Sequence, residues 1–511
     1  MPRSLINDIV SEAPVHDGRI SFARLDGTET LTLAELYERA GRVASGLRRM
    51  GVAPGDRIGI LAANGLEWVL LDLAALRLKA ETAGFEPGKF EPDAELLARY
   101  DIKLLFSDRP SDAPGVVPVA DVRLLSEKQD DDEPLLPVHY GPEDTTTVKF
   151  TSGSTGTPKG LAATAGSIDS SLHAVQEIFE HGPGDDLFVF LPLSLLQQRY
   201  WIYSALRHGH DVTISTYEAA FATLGRVRPT VVMGVPAFYE TAKRHIESRA
   251  RRAAKTSSPE DAVREAARRL FGDRIRYLWT GSAPARAAML TFFDEAGLPI
   301  YEGYGLNETC IVTKNHPGAS RAGSVGKVLT GKQVLIDEDG VISVRSDHPV
   351  NRRYAYAAPG DSERVFGEDG TVRTGDLGHL DEDGFLFIRG RADDVIVLDN
   401  GKKVIVRPIE EQMKSDPAIA ECVLFCPAQT DLVAVVSPSA LPADTEAIAA
   451  RLARTNSSVE RDEQIRRVVV AQEPFSIDNG LLTSQFKPKR KQILAAYERE
   501  INDTKEGIHA A

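Results

Sequence analysis

Val148 to Gly160 reads VKFTSGSTGTPKG: an apolar strand entry, seven consecutive residues drawn from Thr, Ser and Gly, then Pro158, Lys159 and Gly160. Thr151 opens the run. Gly153 and Gly156 let the backbone turn and approach an anion closely, Ser152, Ser154 and Thr155 add hydroxyl donors, and Lys159 supplies a point charge. A flexible Ser/Gly linker needs neither the Pro-Lys-Gly ending nor the apolar strand in front. A Walker A loop is excluded, because that pattern places Gly-Lys-Ser/Thr after its spacer, whereas here Pro158 precedes the lysine and Gly160 follows it. The stretch reads as a phosphate clamp fed by a strand.

Outward from this loop, helix and strand alternate. Leu31 to Met50 places apolar residues at helical spacing after Thr30, Asp56 to Leu61 reads as a strand, and a second helix surrounds Trp68 to Leu76. Short apolar runs at Ile102 to Ser107, Leu187 to Leu191, Asp211 to Ser215 and Thr230 to Met233 keep the rhythm. The pattern predicts an α/β fold: a large N-terminal domain of several subdomains, with mixed sheets covered by helices. Ser248 to Arg269, rich in Arg, Ala and Glu and broken at Thr256 to Pro259, reads as a solvated pair of helical pieces. After about residue 320 short strands take over, with Asp-Gly turns at residues 339–340, 369–370 and 383–384. A domain boundary is expected near Arg391, giving a domain 1–390, a hinge 391–393 and a small α+β domain 394–511.

The whole chain limits the functions available to it. With 511 residues it is too long for one hydrophobic core. Sixty Lys and Arg against 74 Asp and Glu leave a net charge of −14, which repels a phosphodiester backbone, so nucleic acid is not an expected partner. The three cysteines, Cys310, Cys422 and Cys426, lack the further ligands of a zinc site and read as reduced thiols. The first residues contain no signal-like apolar run, and nowhere do ~18 apolar residues follow one another. A cytoplasmic protein without an integral membrane segment is expected, its oligomeric state left open.

The Thr-Ser-Gly-Ser-Thr-Gly-x-Pro-Lys-Gly run resembles the signature of the adenylate-forming superfamily of acyl-CoA synthetases, peptide-synthetase adenylation domains and luciferases. Further motifs follow in that superfamily's order over nearly the whole chain. Tyr301 to Thr309 (YEGYGLNET) resembles its next core motif; the resemblance assigns Tyr304 to stacking on adenine and Glu308 to helping hold Mg²⁺, with Glu302, Gly303 and Asn307 in the same nucleotide-binding segment. An aromatic face suits a purine, and a carboxylate suits a magnesium ion that keeps waters and phosphate oxygens as its other ligands. Asn307 stands where the family usually has Thr. Gly281, Ser282 and Ala283 resemble the turn along the adenine and the acyl carboxylate. Asp376, in Thr374-Gly375-Asp376, and Arg391 resemble the pair that holds the ribose hydroxyls; a carboxylate offers a vicinal diol two acceptor oxygens.

The resemblance further implies that the small domain turns between two catalytic poses about Asp393, one making the adenylate and the other the thioester. Lys487, in NGLLTSQFKPKRK, falls on the lysine that bridges the acyl carboxylate and the α-phosphate. Its charge offsets the approach of two anions only while the domain holds it there. Gly401 and Lys402 resemble the loop lining the pantetheine tunnel, where glycine lets the backbone run close to a narrow thiol arm.

Phe188 to Tyr203 matches a segment that lines the family's acyl pocket, and Leu195, Trp201 and Phe238 suggest a mainly apolar acid. Many relatives have His where Leu195 stands. The function implied is an acid–CoA ligase using ATP, Mg²⁺ and coenzyme A, with a small carboxylic acid as substrate. An enzyme that performs mainly the thioester half-reaction on a supplied adenylate, and an acyl-AMP ligase that loads a carrier protein, remain open alternatives.

Overall fold

The computed structural model describes residues 3–127, 135–151, 158–253, 258–427, 429–483, 486–503 and 507–510. Strand Arg57–Leu61 shows why the N-terminal part is α/β. It pairs in parallel with Glu81–Phe85 on one side and Leu104–Ser107 on the other. Residues 58–61 are all buried, as expected of a parallel strand covered on both faces. This sheet has six strands, in the order Val116–Pro118, Leu104–Ser107, Arg57–Leu61, Glu81–Phe85, Thr145–Thr151, Lys159–Thr164. Its last two strands are antiparallel and flank the phosphate loop, so they fix where residues 152–157 begin and end. Those six residues, which include Ser152, Gly153, Ser154, Thr155 and Gly156, lie outside the described residues, as does the side chain of Thr151.

The second sheet has nine strands, in the order Lys327–Val328, Cys310–Lys314, Ile300–Leu306, Tyr277–Thr280, Val231–Gly234, Asp186–Val189, Asp211–Ile214, Arg19–Ala23, Thr28–Thr32. The six strands from Ile300–Leu306 to Arg19–Ala23 run parallel, and antiparallel pairs close both edges. One apolar cluster joins the two sheets, taking in Ile58 and Ile60 from the first and Leu187, Val189 and Val212 from the second.

Helix Leu33–Arg49 starts at a capping box: Thr32 Oγ1 accepts from the Glu35 N–H at 3.1 Å, and the Glu35 carboxylate accepts from the Thr32 N–H at 2.8 Å. Helix Leu66–Leu78 is apolar nearly all round and accordingly buried nearly all round. The solvated pair expected from Ser248 is the end of a longer helix, Pro236–Ala253, followed by Pro259–Phe271, which Ser258 caps through the Asp261 N–H. The earlier start follows from Phe238, Tyr239, Ala242 and Ile246, which lay down a fully buried helical stripe before the charged segment begins.

A four-stranded antiparallel sheet (Lys332–Ile336, Val341–Ser346, Thr371–Leu380, Leu386–Arg391) completes the N-terminal part. A single 3₁₀ turn, Ala392–Asp394, leads to the hairpin Val395–Val397/Lys403–Ile405. The C-terminal part is α+β. Its sheet has the order Ile419–Phe425, Leu432–Pro438, Ile465–Val470, Ile508–His509, and helices Val406–Lys414 and Thr445–Asn456 pack on a core of its own. Among the described residues no helix is long and apolar enough to cross a membrane.

Candidate functional site

Tyr304 sits near the end of strand Ile300–Leu306, where the pairing with Cys310–Lys314 slips at Tyr304/Gly305. The slip needs glycine: a Cβ on Gly305 would lie 2.0 Å from the Cys310 carbonyl oxygen. The Tyr304 hydroxyl donates to Asp376 Oδ2 at 2.6 Å, while Arg391 Nη1 donates to Asp376 Oδ1 at 2.9 Å and to the Thr374 carbonyl at 3.0 Å. Asp376 and Arg391 face each other across the antiparallel pair Thr371–Leu380/Leu386–Arg391. Burial, with Asp376 adding to it, pushes the Tyr304 hydroxyl well above its ordinary pKa and keeps it a donor. A carboxylate accepts at about four lone-pair sites, so Asp376 retains capacity for a ligand's hydroxyls.

Around Lys159 and Glu308 runs a chain of contacts that the motifs do not contain. Lys159 Nζ lies 2.9 Å from Asp361 Oδ2 and 5.2 Å from the centre of the Tyr354 ring. The Tyr354 hydroxyl donates to Glu308 Oε1 at 2.7 Å. The hydrogen bond from Lys159, together with Arg364, holds the Asp361 carboxyl below its usual range, against the effect of burial. Lys159 and Glu308 are thus held in one assembly through Tyr354 and Asp361. Asn307 occupies the adjoining turn, closed by the Leu306 N–H on Thr309 Oγ1 at 2.9 Å. Among the described residues no group of three or more His, Cys, Asp or Glu gathers as a metal cage. Magnesium bound largely by phosphate oxygens asks for only one or two carboxylates, and Glu308 fits that demand.

Beside Tyr304 opens a cavity of about 80 Å³ that is partly continuous with solvent. Gly281, Ser282 and Gly303 line the end nearer Tyr304, Ser282 with a left-handed φ of 68°. Ala283 follows in the same turn without lining the cavity. Glu302 turns away beneath it: its Oε1 accepts from the Ala285 N–H at 3.4 Å, and burial raises its carboxyl to about 7, with Lys314 and Arg407 opposing. Lys314 is fully buried, donating to the Tyr301 carbonyl at 2.6 Å and lying 3.6 Å from the Trp279 ring centre. Alternation along Cys310–Lys314 puts residues 310, 312 and 314 on one face, so a lysine on the same face as two apolar residues was the available signal for it.

The other end is lined by Val175, Leu191, Tyr200, Trp201, Met233 and Trp279, and also by Gln197 and Gln198. Of the three residues expected to hold the acid, Trp201 reaches the cavity. Phe238 does not: it is fully buried in an aromatic stack, 4.3 Å from the Phe190 ring and 4.5 Å from Phe221. Leu195 does not line it either, because it stands at the N-cap of helix Leu196–His208 with its N–H on the Pro192 carbonyl. The three cysteines are free thiols.

The small domain faces this site. Arg286 Nη2 donates to the Ala420 carbonyl at 2.7 Å, and Phe486 lies 5.7 Å from Tyr217, ring centre to ring centre. The loop carrying Lys487 is closed by the Thr483 N–H on the Lys487 carbonyl at 2.8 Å. Lys487 is exposed to water. Crowding lowers its pKa, with Asp376 opposing and Arg391 reinforcing the fall, so its charge is felt at the Tyr304–Asp376–Arg391 end. Arg407, on Val406–Lys414, responds likewise to Asp376 and Glu302. Asp393 lies in the 3₁₀ turn directly after Arg391. Gly401 and Lys402 sit in the hairpin turn away from the cavity, where Lys402 is ion-paired with Glu460.

The sequence profile of the AMP-binding enzymes matches residues 11–348, and that of the AMP-binding enzyme C-terminal domain matches residues 393–507. The chain belongs to the AMP-binding enzyme family. Within this adenylate-forming superfamily it is 28% identical to the long-chain-fatty-acid–CoA ligase FadD15 of Mycobacterium tuberculosis, over 93% of this chain and 92% of that protein. It is also 28% identical to a 2-succinylbenzoate–CoA ligase of Bacillus cereus, over 77% of this chain and 80% of that one. In fold it is similar to the O-succinylbenzoate coenzyme A synthetase of Bacillus subtilis in complex with AMP, with a TM-score of 0.77, 20% identity and 99% of both chains covered. ATP-bound MatB of Rhodopseudomonas palustris gives 0.77 at 22% identity, over 98% of this chain and 99% of that one. The acyl-CoA synthetase fold, a large N-terminal part and a small C-terminal domain, is therefore shared along the chain's length.

Proposed function

We propose that this AMP-binding enzyme is an AMP-forming acid–CoA ligase for a mainly apolar carboxylic acid. In the first half-reaction a carboxylate oxygen of the acid attacks the α-phosphorus of ATP, and pyrophosphate leaves with the electron pair of the broken P–O bond. In the second, the thiol sulfur of coenzyme A attacks the acyl carbonyl; AMP leaves and the thiol proton is released.

The observation that supports this reading is the linked Tyr304–Asp376–Arg391 cluster, whose charges are also felt by Lys487 of the small domain. Attack of one anion on another needs a cation held between them, and Lys487 would supply it. In this scheme Asp376 takes the ribose hydroxyls, Tyr304 presents its ring to adenine, and Lys159 and the loop from Thr151 take the phosphates. Glu308 would hold Mg²⁺, which screens the triphosphate charge. The 1–390 domain binds ATP and acid, and the 394–511 domain turns about Asp393 to bring Gly401 and Lys402 to the pantetheine arm. Relatives named as fatty-acid and succinylbenzoate CoA ligases support CoA as the acceptor. With ATP, CoA and a small acid as its partners, the enzyme works where those pools are, in the cytoplasm.

A panel of acids assayed with ATP, scoring pyrophosphate release with and without CoA, tests the reading. Release dependent on one class of acid, with acyl-CoA formed when CoA is present, is expected. No release from any acid, alongside conversion of supplied acyl-AMP to acyl-CoA, would install the thioester-only alternative.

A further inference from the structure

Gln198 lies in the first turn of helix Leu196–His208, lines the cavity between Trp201 and Leu191, and is 8% exposed. Its Oε1 is buried and has no hydrogen-bond partner among the described residues. A buried amide oxygen without a donor is costly, and native interiors keep few of them. A leucine at this place would fill the wall at no such cost.

The helix that carries this amide is itself held in place. The next residue, Arg199, is fully buried; its Nη1 donates to Asp72 Oδ1 at 2.7 Å and its Nη2 to Thr147 Oγ1 at 3.1 Å. Four residues further on, the Tyr203 hydroxyl donates to the other oxygen of Asp72 at 2.5 Å. The helix that presents Gln198 is thereby tied to strand Thr145–Thr151, which leads into the phosphate loop. A polar group on so fixed a support is pre-organised for a ligand group rather than free to find a protein partner.

We propose that the acid taken by this site carries a hydrogen-bond donor, a hydroxyl or amino group set beyond an apolar segment, and that Gln198 is the residue that recognises it. Tyr200, Trp201 and Trp279 pack the apolar segment, Trp201 and Trp279 edge to face with ring centres 5.2 Å apart, and the donor completes the amide. The inference deepens the ligase reading above and rests on it.

The test compares matched acids of one carbon skeleton, unsubstituted, hydroxylated, amino-substituted and keto-substituted at the same distant carbon, by pyrophosphate release with the parent enzyme. A hydroxyl or amino acid is expected to exceed the unsubstituted one in kcat/KM by about tenfold or more, because a site built to bond a polar group is left unpaired by its analogue. In Gln198→Leu the ratio is expected to fall towards one. Equal rates for all four acids in the parent, or a ratio unchanged in Gln198→Leu, would overturn the assignment. A preference for the keto acid would overturn it too, by showing that the pocket offers a donor instead. Pyrophosphate release from no acid at all would instead remove the ligase reading itself, so the two failures are told apart, and the parent's selectivity decides the matter even if the variant does not fold.

Discussion

Asp376 and Arg391, fifteen residues apart in sequence, lie directly opposite each other on neighbouring antiparallel strands, and their side chains meet at 2.9 Å. The strand register makes this pair, so the carboxylate is fixed before any nucleotide arrives. A Cβ on Gly375 would lie 3.1 Å from Arg391 Nη2, and φ there is 70°, so the glycine just before Asp376 both turns the chain and leaves room for the guanidinium.

Asp376→Asn keeps the shape and removes the charge. Charge-assisted hydrogen bonds contribute about 1.5–3 kcal/mol, so the KM for ATP in pyrophosphate release should rise roughly 10- to 100-fold. Tyr304→Phe, which removes one donor and keeps the ring, should cost only a few-fold. Equal losses in the two variants would mean that Asp376 does not touch the ribose.

Arg199→Met should destabilise the fold by roughly 3–5 kcal/mol, because it leaves the buried Asp72 carboxylate without its cation. The double variant Asp72→Leu/Arg199→Met should recover more than half of that loss, since an apolar pair of similar volume avoids the desolvation of both ions. Denaturant midpoints for the parent and the variants check this. A double variant no more stable than the single one would assign the cost to packing alone.

Glu302 sets a pH dependence whose sign follows from its burial. Its folded pKa is raised to about 7 from an ordinary 4.5. The folded state therefore holds the proton over a range in which the unfolded chain has lost it. The contribution is fully present below about pH 4.5 and is lost as pH rises through about 7. Glu302→Gln, measured by urea unfolding at several pH values across that window, should show a flatter fall in stability than the parent. Coincident slopes would mean that the carboxyl titrates in the ordinary range.

Asp393→Pro should leave acyl-AMP formation measurable and depress thioester formation. Proline holds φ near roughly −65°, a value compatible with the 3₁₀ turn Ala392–Asp394, so it should favour the present arrangement of the two domains, which the proposed scheme takes as the adenylating pose. Acyl-AMP and acyl-CoA, quantified separately in single turnovers, distinguish the two effects. Equal loss of both would remove the two-pose scheme.

Local patterns made much of this legible in the sequence. The helix expected from Leu31 after Thr30 is there but starts two residues later, at Leu33, because Thr32 and Glu35 form its capping box and residues 28–32 belong to a strand; the buried strand 57–61 shows itself as an apolar run. Tyr354 and Asp361 gave no such signal. They reach Glu308 and Lys159 only through tertiary folding of a segment that carries no motif, Tyr354 from 46 residues along the chain. Phe238 failed for the opposite reason: an aromatic residue serves a pocket wall and a core equally well, and only the packing on Phe190 and Phe221 decides between them. Gln198 lay in plain view within an apolar run, but a polar residue there reads as solvent-facing until its burial is known.

Lys487→Ala separates the half-reactions most directly. In this structure its ammonium is attracted by Asp376 and repelled by Arg391, and in the proposed scheme it bridges the acyl carboxylate and the α-phosphate. Removing one pre-organised charge from a transition state costs roughly 10²-fold or more, so acid-dependent pyrophosphate release should fall by at least that factor. The second half-reaction should survive. Once the small domain has turned, Lys487 lies away from the site, and acyl-AMP supplied directly should react with CoA at close to the parent rate. Measuring both rates on one preparation controls for misfolding, because a collapsed protein loses the two together. Equal loss of both in a variant with parent-like thermal stability would mean that the bridging cation is another residue, and Lys489→Ala would then be the variant to compare.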